Sequence, residues 1–215
     1  MTVRYLVWDF ETTGIPARAP GLIRPVQVGL TMFDDSFTDF SNFSMLVRPD
    51  VWAPGWENAQ RVHGISRAAL EKKSVPGMAE SFQLLANHLR RSMATGFLEP
   101  ASEMYSLAWN SAFDSEVLRL WMRAAGVRNR ALSDWADAPV GPFTAPLGCL
   151  QAMYRNWTKT QPDITTPRYG ALKRSCVDLG LDWDDSQAHD ASYDSRAAGR
   201  VAHEMLSRAQ DASRA

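Results

Sequence analysis

A chain of 215 residues that is 45% hydrophobic and 22% charged is long enough for one domain with a core of ordinary size. Its formal net charge of −1 excludes a strongly basic protein that coats duplex DNA without specificity, though not a local basic groove. Two cysteines, Cys149 and Cys176, make neither a disulfide framework nor a zinc motif, and no signal peptide or membrane-length apolar run is present, so a cytoplasmic setting is expected.

Residues 3–10, VRYLVWDF, are rich in aromatic and branched side chains and predict a buried strand. PVQVGLTMFDD (25–35) and FSNFSMLVRPD (40–50) predict two more, joined by a turn at Asp34-Asp35-Ser36 into a three-stranded meander. Residues 55–72 read as short helical turns broken at His63-Gly64. Over 75–93, Met78, Phe82, Leu85 and Leu89 recur at helical spacing and predict an amphipathic helix. EMYSLAWN (103–110) predicts a fourth strand, and AFDSEVLRLWMRAAG (112–126) a helix that stops at Gly126.

An irregular excursion over about 127–167 follows, punctuated by Pro139, Gly141, Pro142, Pro146 and Gly148 and interrupted by a helix over 149–158. Helices over 168–180 and 192–210 close the chain, with a frayed tail over 211–215. Strands first, then helices mixed with strands, predict a single α/β domain over 1–210 built on a mixed sheet.

Acids stand out within this plan. Asp9 and Glu11 lie two apart in the first strand, so they share a face and repel unless a cation, an arginine or water intervenes. Two readings are open: a strand end with two solvated acids, or part of a metal site. Asp114 follows a strand exit and opens a helix, where α/β sheets collect ligands. Helix capping or a dipole interaction accounts for it equally well. Asp194, near the start of the last helix, is by itself an ordinary exposed residue.

Together these segments resemble the DEDD exonuclease superfamily, in its His-containing, proofreading-type branch. The resemblance rests on Asp9-Phe10-Glu11-Thr12-Thr13-Gly14, on Asn110-Ser111-Ala112-Phe113-Asp114 (similar to the family's N-x-x-F-D), and on His189 five residues before Asp194. Val62-His63-Gly64-Ile65-Ser66 is similar to the family's H-G-I segment, and the likeness covers about residues 5–206. The sister branch carries tyrosine four residues before the last aspartate, where this chain has Asp190, so His189 selects the His branch.

The resemblance implies an RNase H-like mixed sheet flanked by helices, and a 3′→5′ exonuclease acting on single-stranded or frayed DNA with release of nucleoside 5′-monophosphates. Asp9, Glu11, Asp114 and Asp194 would hold two hard cations, Mg²⁺ or Mn²⁺, with His189 as general base. A continuous helix would point His189 away from Asp194, so His189 is expected on the loop before it, with Asp190 or Ser192 as N-cap. By resemblance, Thr12, Thr13 and Gly14 would meet the terminal nucleotide and Asn110 would position the strand. Ile65 and Phe113 would pack on the base or sugar, with core packing as the alternative, and His63 is expected to be structural.

Arg90-Arg91, Lys72-Lys73, Arg168 and Lys173-Arg174 are candidate phosphate contacts on what is otherwise a solvated face. Two further readings stand beside this one: an exonuclease trimming RNA 3′ ends, and a non-catalytic module associated with a DNA polymerase.

Overall fold

The computed structural model describes residues 3–16, 18–34, 41–94, 103–126, 147–161, 163–164 and 171–214. Most of the excursion (127–146), the turn residues Asp35 and Ser36, and Arg168 lie outside the described residues. The first strand, β1 (Val3–Thr12), is central. On one side it pairs antiparallel with β2 (Pro25–Asp34), which pairs antiparallel with β3 (Ser41–Leu46). On the other side it pairs parallel with β4 (Glu103–Ala108), followed by the two-residue strand β5 (Gly148–Cys149). The order β3-β2-β1-β4-β5 is the mixed sheet the element pattern implied, with its three-stranded meander. The strand β5 was not anticipated: two residues carry no periodicity, and only pairing with Leu107 and Ala108 defines it.

Alternation along β1 sorts the molecule into two layers. Leu6, Trp8 and Phe10, with Val28, Leu30 and Met32 of β2, pack against α3 (Met78–Ala94) and α4 (Ser111–Ala124). Met78, Phe82, Leu85 and Leu89, the apolar face expected of α3, are all buried there. On the opposite face Val7, Phe33 and Leu107 meet α5 (Leu150–Thr158), α6 (Leu172–Asp178) and α7 (Ala191–Arg214) through Tyr154, Cys176, Ala198 and Val201. Cover on both faces explains why β1 and β2 read as near-continuous apolar runs. Because the strand period is two, Asp9 and Glu11 follow Val7 onto the α7 side.

The short helices break where expected. The helix α1 (Trp56–His63) ends on Gly64, whose φ of 74° is left-handed and whose N–H donates to Gln60 O at 2.7 Å. Ser66 then caps α2 (Arg67–Leu70) by accepting from Ala69 N–H at 3.2 Å. The last helix differs from expectation. It runs to Arg214, so the residues after Gln210 continue it, because no glycine or proline follows Gly199 to end it.

Contact between α7 and the sheet is unusually close at one point. A Cβ on Gly29 would lie 1.8 Å from Ala191 O and 2.8 Å from Ser192 N, so the helix start rests on bare β2 backbone directly opposite Asp9. Asn42 secures it by donating to Ser192 O at 3.1 Å and accepting from the Ser192 hydroxyl at 2.7 Å. The hydroxyls of Thr31 and Ser195 pair at 3.2 Å in the buried interface. Gly29→Ala should therefore force α7 off the sheet and lower unfolding free energy by about 1–3 kcal/mol, the usual range for overpacking. Urea titration followed by circular dichroism measures this, and a variant as stable as the parent would contradict the seating.

Candidate active site

Strand lengths create the site. The strand β4 ends at Ala108, opposite Trp8, while β1 continues to Thr12 and so meets the start of α4 instead of a neighbouring strand. Asp114, in the first turn of α4, is buried and accepts a backbone hydrogen bond from Phe10. Pairing with β2 shifts register between Glu11 and Thr12, an irregularity of the kind that re-aims side chains beside active sites.

The other members arrive from the start of α7. His189 adopts a φ of 64°, a left-handed conformation uncommon outside glycine, and turns the chain into the helix. Asp190 is the N-cap, accepting from Tyr193 N–H at 3.0 Å, while Ser192 is occupied by Asn42. His189 lies before the helix, as its spacing required, and its N–H donates to Asp194 Oδ2 at 3.1 Å. The second Asp194 oxygen, Oδ1, is buried without a hydrogen-bond partner.

Asp9, Glu11, Asp114, His189 and Asp194 line one cavity of about 450 Å³, together with Asn110, Phe113, Gln151 and Leu172. Ligand atoms of Glu11, His189 and Asp194 lie within 4.8 Å of one another. The histidine therefore stands among the acids rather than apart from them.

Burial raises the Asp9 carboxyl well above the usual range, and repulsion from Asp114, Glu11 and Asp194 adds to it. Burial, then Asp194 and Asp114, push Glu11 up to about 9. Asp114 is pushed up to about 8 by burial, against hydrogen bonds from its own N–H and that of Phe10. Asp194 is raised by burial to about 6, with the His189 amide opposing. No lysine or arginine lines the cavity among the described residues. Clustered carboxylates with an unpartnered buried oxygen, and no lysine or arginine among the described residues around them, fit a hard divalent cation.

A second cavity of about 360 Å³ shares Glu11 and Phe113 with the first. Its walls are mainly apolar (Ile15, Ala19, Ile23, Pro54, Val62), with Thr12, Arg18, Asn58 and His63 as polar points. Of the expected substrate contacts, Thr12, Gly14 and Phe113 line this cavity, and Asn110 lines the acid cavity. Asn110 is exposed and, although it is the N-cap of α4, its side chain makes no capping bond. Phe113 also packs against the core, so its two readings are compatible.

Two expected contacts fall elsewhere. Thr13 is fully buried, its hydroxyl accepting from Arg24 N–H at 3.0 Å, because the chain turns inward after the register shift. Ile65 is half-buried and lines neither cavity, since the turn at Gly64 carries it past the pocket. Val62 and Ile15 form the apolar wall instead. Asn58, Ala59 and Val62 recur at helical spacing, a signal that would have assigned this face of α1.

His63, expected to be structural, bridges two backbone segments and also lines the second cavity. Its Nδ1 accepts from Ile65 N–H at 3.1 Å, leaving Nε2–H to donate to Thr12 O at 3.2 Å, and burial lowers its pKa. Of the basic candidates, Lys173 pairs with Asp185 and Arg174 with Asp178, both at 2.7 Å, and both basic side chains remain exposed. Arg18, at the second cavity, was not singled out from sequence because one arginine in a loop carries no pattern.

No family model and no curated protein matches this sequence. Solved structures do. The crystal structure of cell-death related nuclease 4 superposes with a TM-score of 0.70 at 14% identity, over 95% of this chain and 64% of that one. The crystal structure of a full-length 3′-exonuclease superposes at 0.61 and 15% identity, over 96% of this chain and 82% of that one. The chain has the fold of these nucleases. It spans just under two thirds of the length of the first, and at such identity the likeness is one of architecture, the helix-flanked mixed sheet expected from the motifs. Among the described residues no helix is long and apolar enough to cross a membrane.

The acid cluster makes stability depend on pH. Unfolded carboxylates titrate near 4, and the native ones titrate higher, so between those values the native state binds more protons and stability falls as pH rises. Without divalent ions, the melting temperature should drop from about pH 5 to about pH 9, and Mg²⁺ should restore more of it at the alkaline end. Asp9→Asn should raise the metal-free melting temperature at about pH 8, by removing repulsion. Melting scans in EDTA and in Mg²⁺ test both, and an EDTA profile that climbs with pH contradicts the cluster.

Proposed function

We propose that this protein is a metal-dependent 3′→5′ exonuclease that hydrolyses the terminal phosphodiester of single-stranded or frayed DNA and releases nucleoside 5′-monophosphates. The observation that carries the reading is the junction of two cavities at Glu11 and Phe113, one acidic and one largely apolar. A terminal nucleotide seated in the apolar cavity presents its 5′ phosphate to the acids. The order of the motifs and the fold shared with a solved 3′-exonuclease support the direction of attack.

Asp9, Glu11, Asp114 and Asp194 would hold two divalent ions, which would supply a water nucleophilic at neutral pH and stabilisation of the charge that develops during hydrolysis. Ile15, Ile23 and Val62 receive the base, an apolar contact that tolerates any sequence, and Phe113 bears on the sugar. Asn110, with its amide free of capping, orients the strand beside the scissile bond. His189 takes the proton of the attacking water as general base and returns it to solvent, to which its side chain is exposed. Its left-handed backbone and its bond to Asp194 hold the ring near Glu11.

DNA and RNA oligomers labelled at either end, incubated with Mg²⁺, test the reading. The 3′ label should leave first as a mononucleotide, and EDTA should stop the reaction. Degradation of an oligomer whose 3′ end is blocked by a bulky group, or release of 3′-monophosphates, overturns it. Asp194→Ala should weaken Mn²⁺ binding in a calorimetric titration. His189→Ala should leave that binding nearly unchanged while the rate falls about 10²–10⁴-fold. Loss of Mn²⁺ binding in His189→Ala would make the histidine a ligand rather than the base.

A further inference from the structure

Gln27 lies on β2 directly opposite Glu11, is buried, and lines neither cavity. Its side-chain amide nevertheless reaches the chain that carries His189. Nε2 donates to Asp190 Oδ2 at 2.9 Å and contacts Ser44 Oγ at 3.3 Å, while Oε1 accepts from Ala191 N–H at 3.2 Å. The other Asp190 oxygen caps α7 through Tyr193 N–H. One buried amide thus grips two consecutive residues immediately after His189. A non-glycine residue in the left-handed region persists only where its surroundings hold it there.

We propose that Gln27 is a positioning residue: by clamping Asp190 and Ala191 it holds His189 in its left-handed turn and sets where His189 and Asp194 meet Glu11. The kinetic part of this inference rests on the exonuclease reading; the structural part does not.

The clamp needs an amide at position 27. A donor must face the Asp190 carboxylate and an acceptor must face the Ala191 N–H, and glutamine supplies both. Gln27→Glu keeps size and acceptor but loses the donor, and sets two anions against each other. Asp190→Asn leaves one oxygen to serve both Tyr193 N–H and the Gln27 amide, so one bond is lost. In the double variant Gln27→Glu/Asp190→Asn, donor and acceptor change sides. Total charge is unchanged, and the asparagine oxygen still accepts from Tyr193 N–H. The contacts of Thr31 and Asn42 with α7 remain in all three, so the helix stays seated.

The experiment compares parent, both single variants and the double variant. Amide hydrogen exchange at Ala191 and Tyr193 is measured on metal-free protein, and kcat and KM on a 3′-labelled single-stranded oligonucleotide with Mg²⁺. Gln27→Glu should speed Ala191 exchange and lower kcat, each by about ten-fold or more, with KM changed by less than about two-fold. The double variant should return both to within about three-fold of the parent. Unchanged exchange in Gln27→Glu, or a double variant no better than the worse single one, overturns the clamp. Exchange that responds while kcat does not overturns the positioning role. If the parent degrades no oligonucleotide, the exonuclease reading fails, and the exchange data alone decide the clamp.

Discussion

The crowding of four carboxylates, Glu11 and Asp114 buried and Asp9 and Asp194 half-buried, is the constraint on which the rest of this structure depends. Asp9 and Glu11 come from the central strand, Asp114 from the first turn of α4 and Asp194 from that of α7, and no basic side chain lines their cavity among the described residues. Left to themselves such groups would separate or stay protonated: burial raises all four pKa values, and repulsion within the cluster adds to it at Asp9 and Glu11. The fold holds them together with packing that lies elsewhere. Two apolar layers clamp β1 from both faces, and the helices that carry Asp114 and Asp194 are anchored through those layers rather than through the acids.

The seat of α7 shows how that works. A bare glycine on β2 lets the helix backbone touch the sheet opposite Asp9, and hydrogen bonds from Thr31, Asn42 and Gln27 fix its first turn. The helix cap and the turn that carries His189 are therefore one piece of structure. Asp190 serves the cap with one oxygen and the sheet with the other, while His189 turns left-handed between them and the acids. The same economy applies at Phe113, which packs on the core and also walls both cavities.

Much of this was legible before any coordinates. The apolar runs of β1 and β2 and the spacing of Met78, Phe82, Leu85 and Leu89 report burial, which acts residue by residue and leaves a periodic trace. The spacing of Asp9 and Glu11 dictated a shared face, and the five-residue offset from His189 to Asp194 required a break between them, found at residue 189. Position after the turns was harder. Thr13 and Ile65 follow a register shift and a left-handed glycine, and each of these redirects the chain by an amount that local sequence does not state. Arg18 and the α1 face at Asn58, Ala59 and Val62 belong to the pocket only because of where α1 is placed.

By itself, then, the sequence determined the longer strands and helices, the α/β class and which acids stand out, because each is written in side-chain chemistry at short range. Only the tertiary structure decided that the acids meet in one cavity, that a second, apolar cavity adjoins it, and that Gln27 and Gly29 govern the approach of α7. Those are contacts between residues far apart in the chain, such as Gln27 with Asp190 at a separation of 163, and no local pattern encodes them. Their physical origin is the packing of a helix onto a sheet, in which a missing side chain matters as much as any that is present.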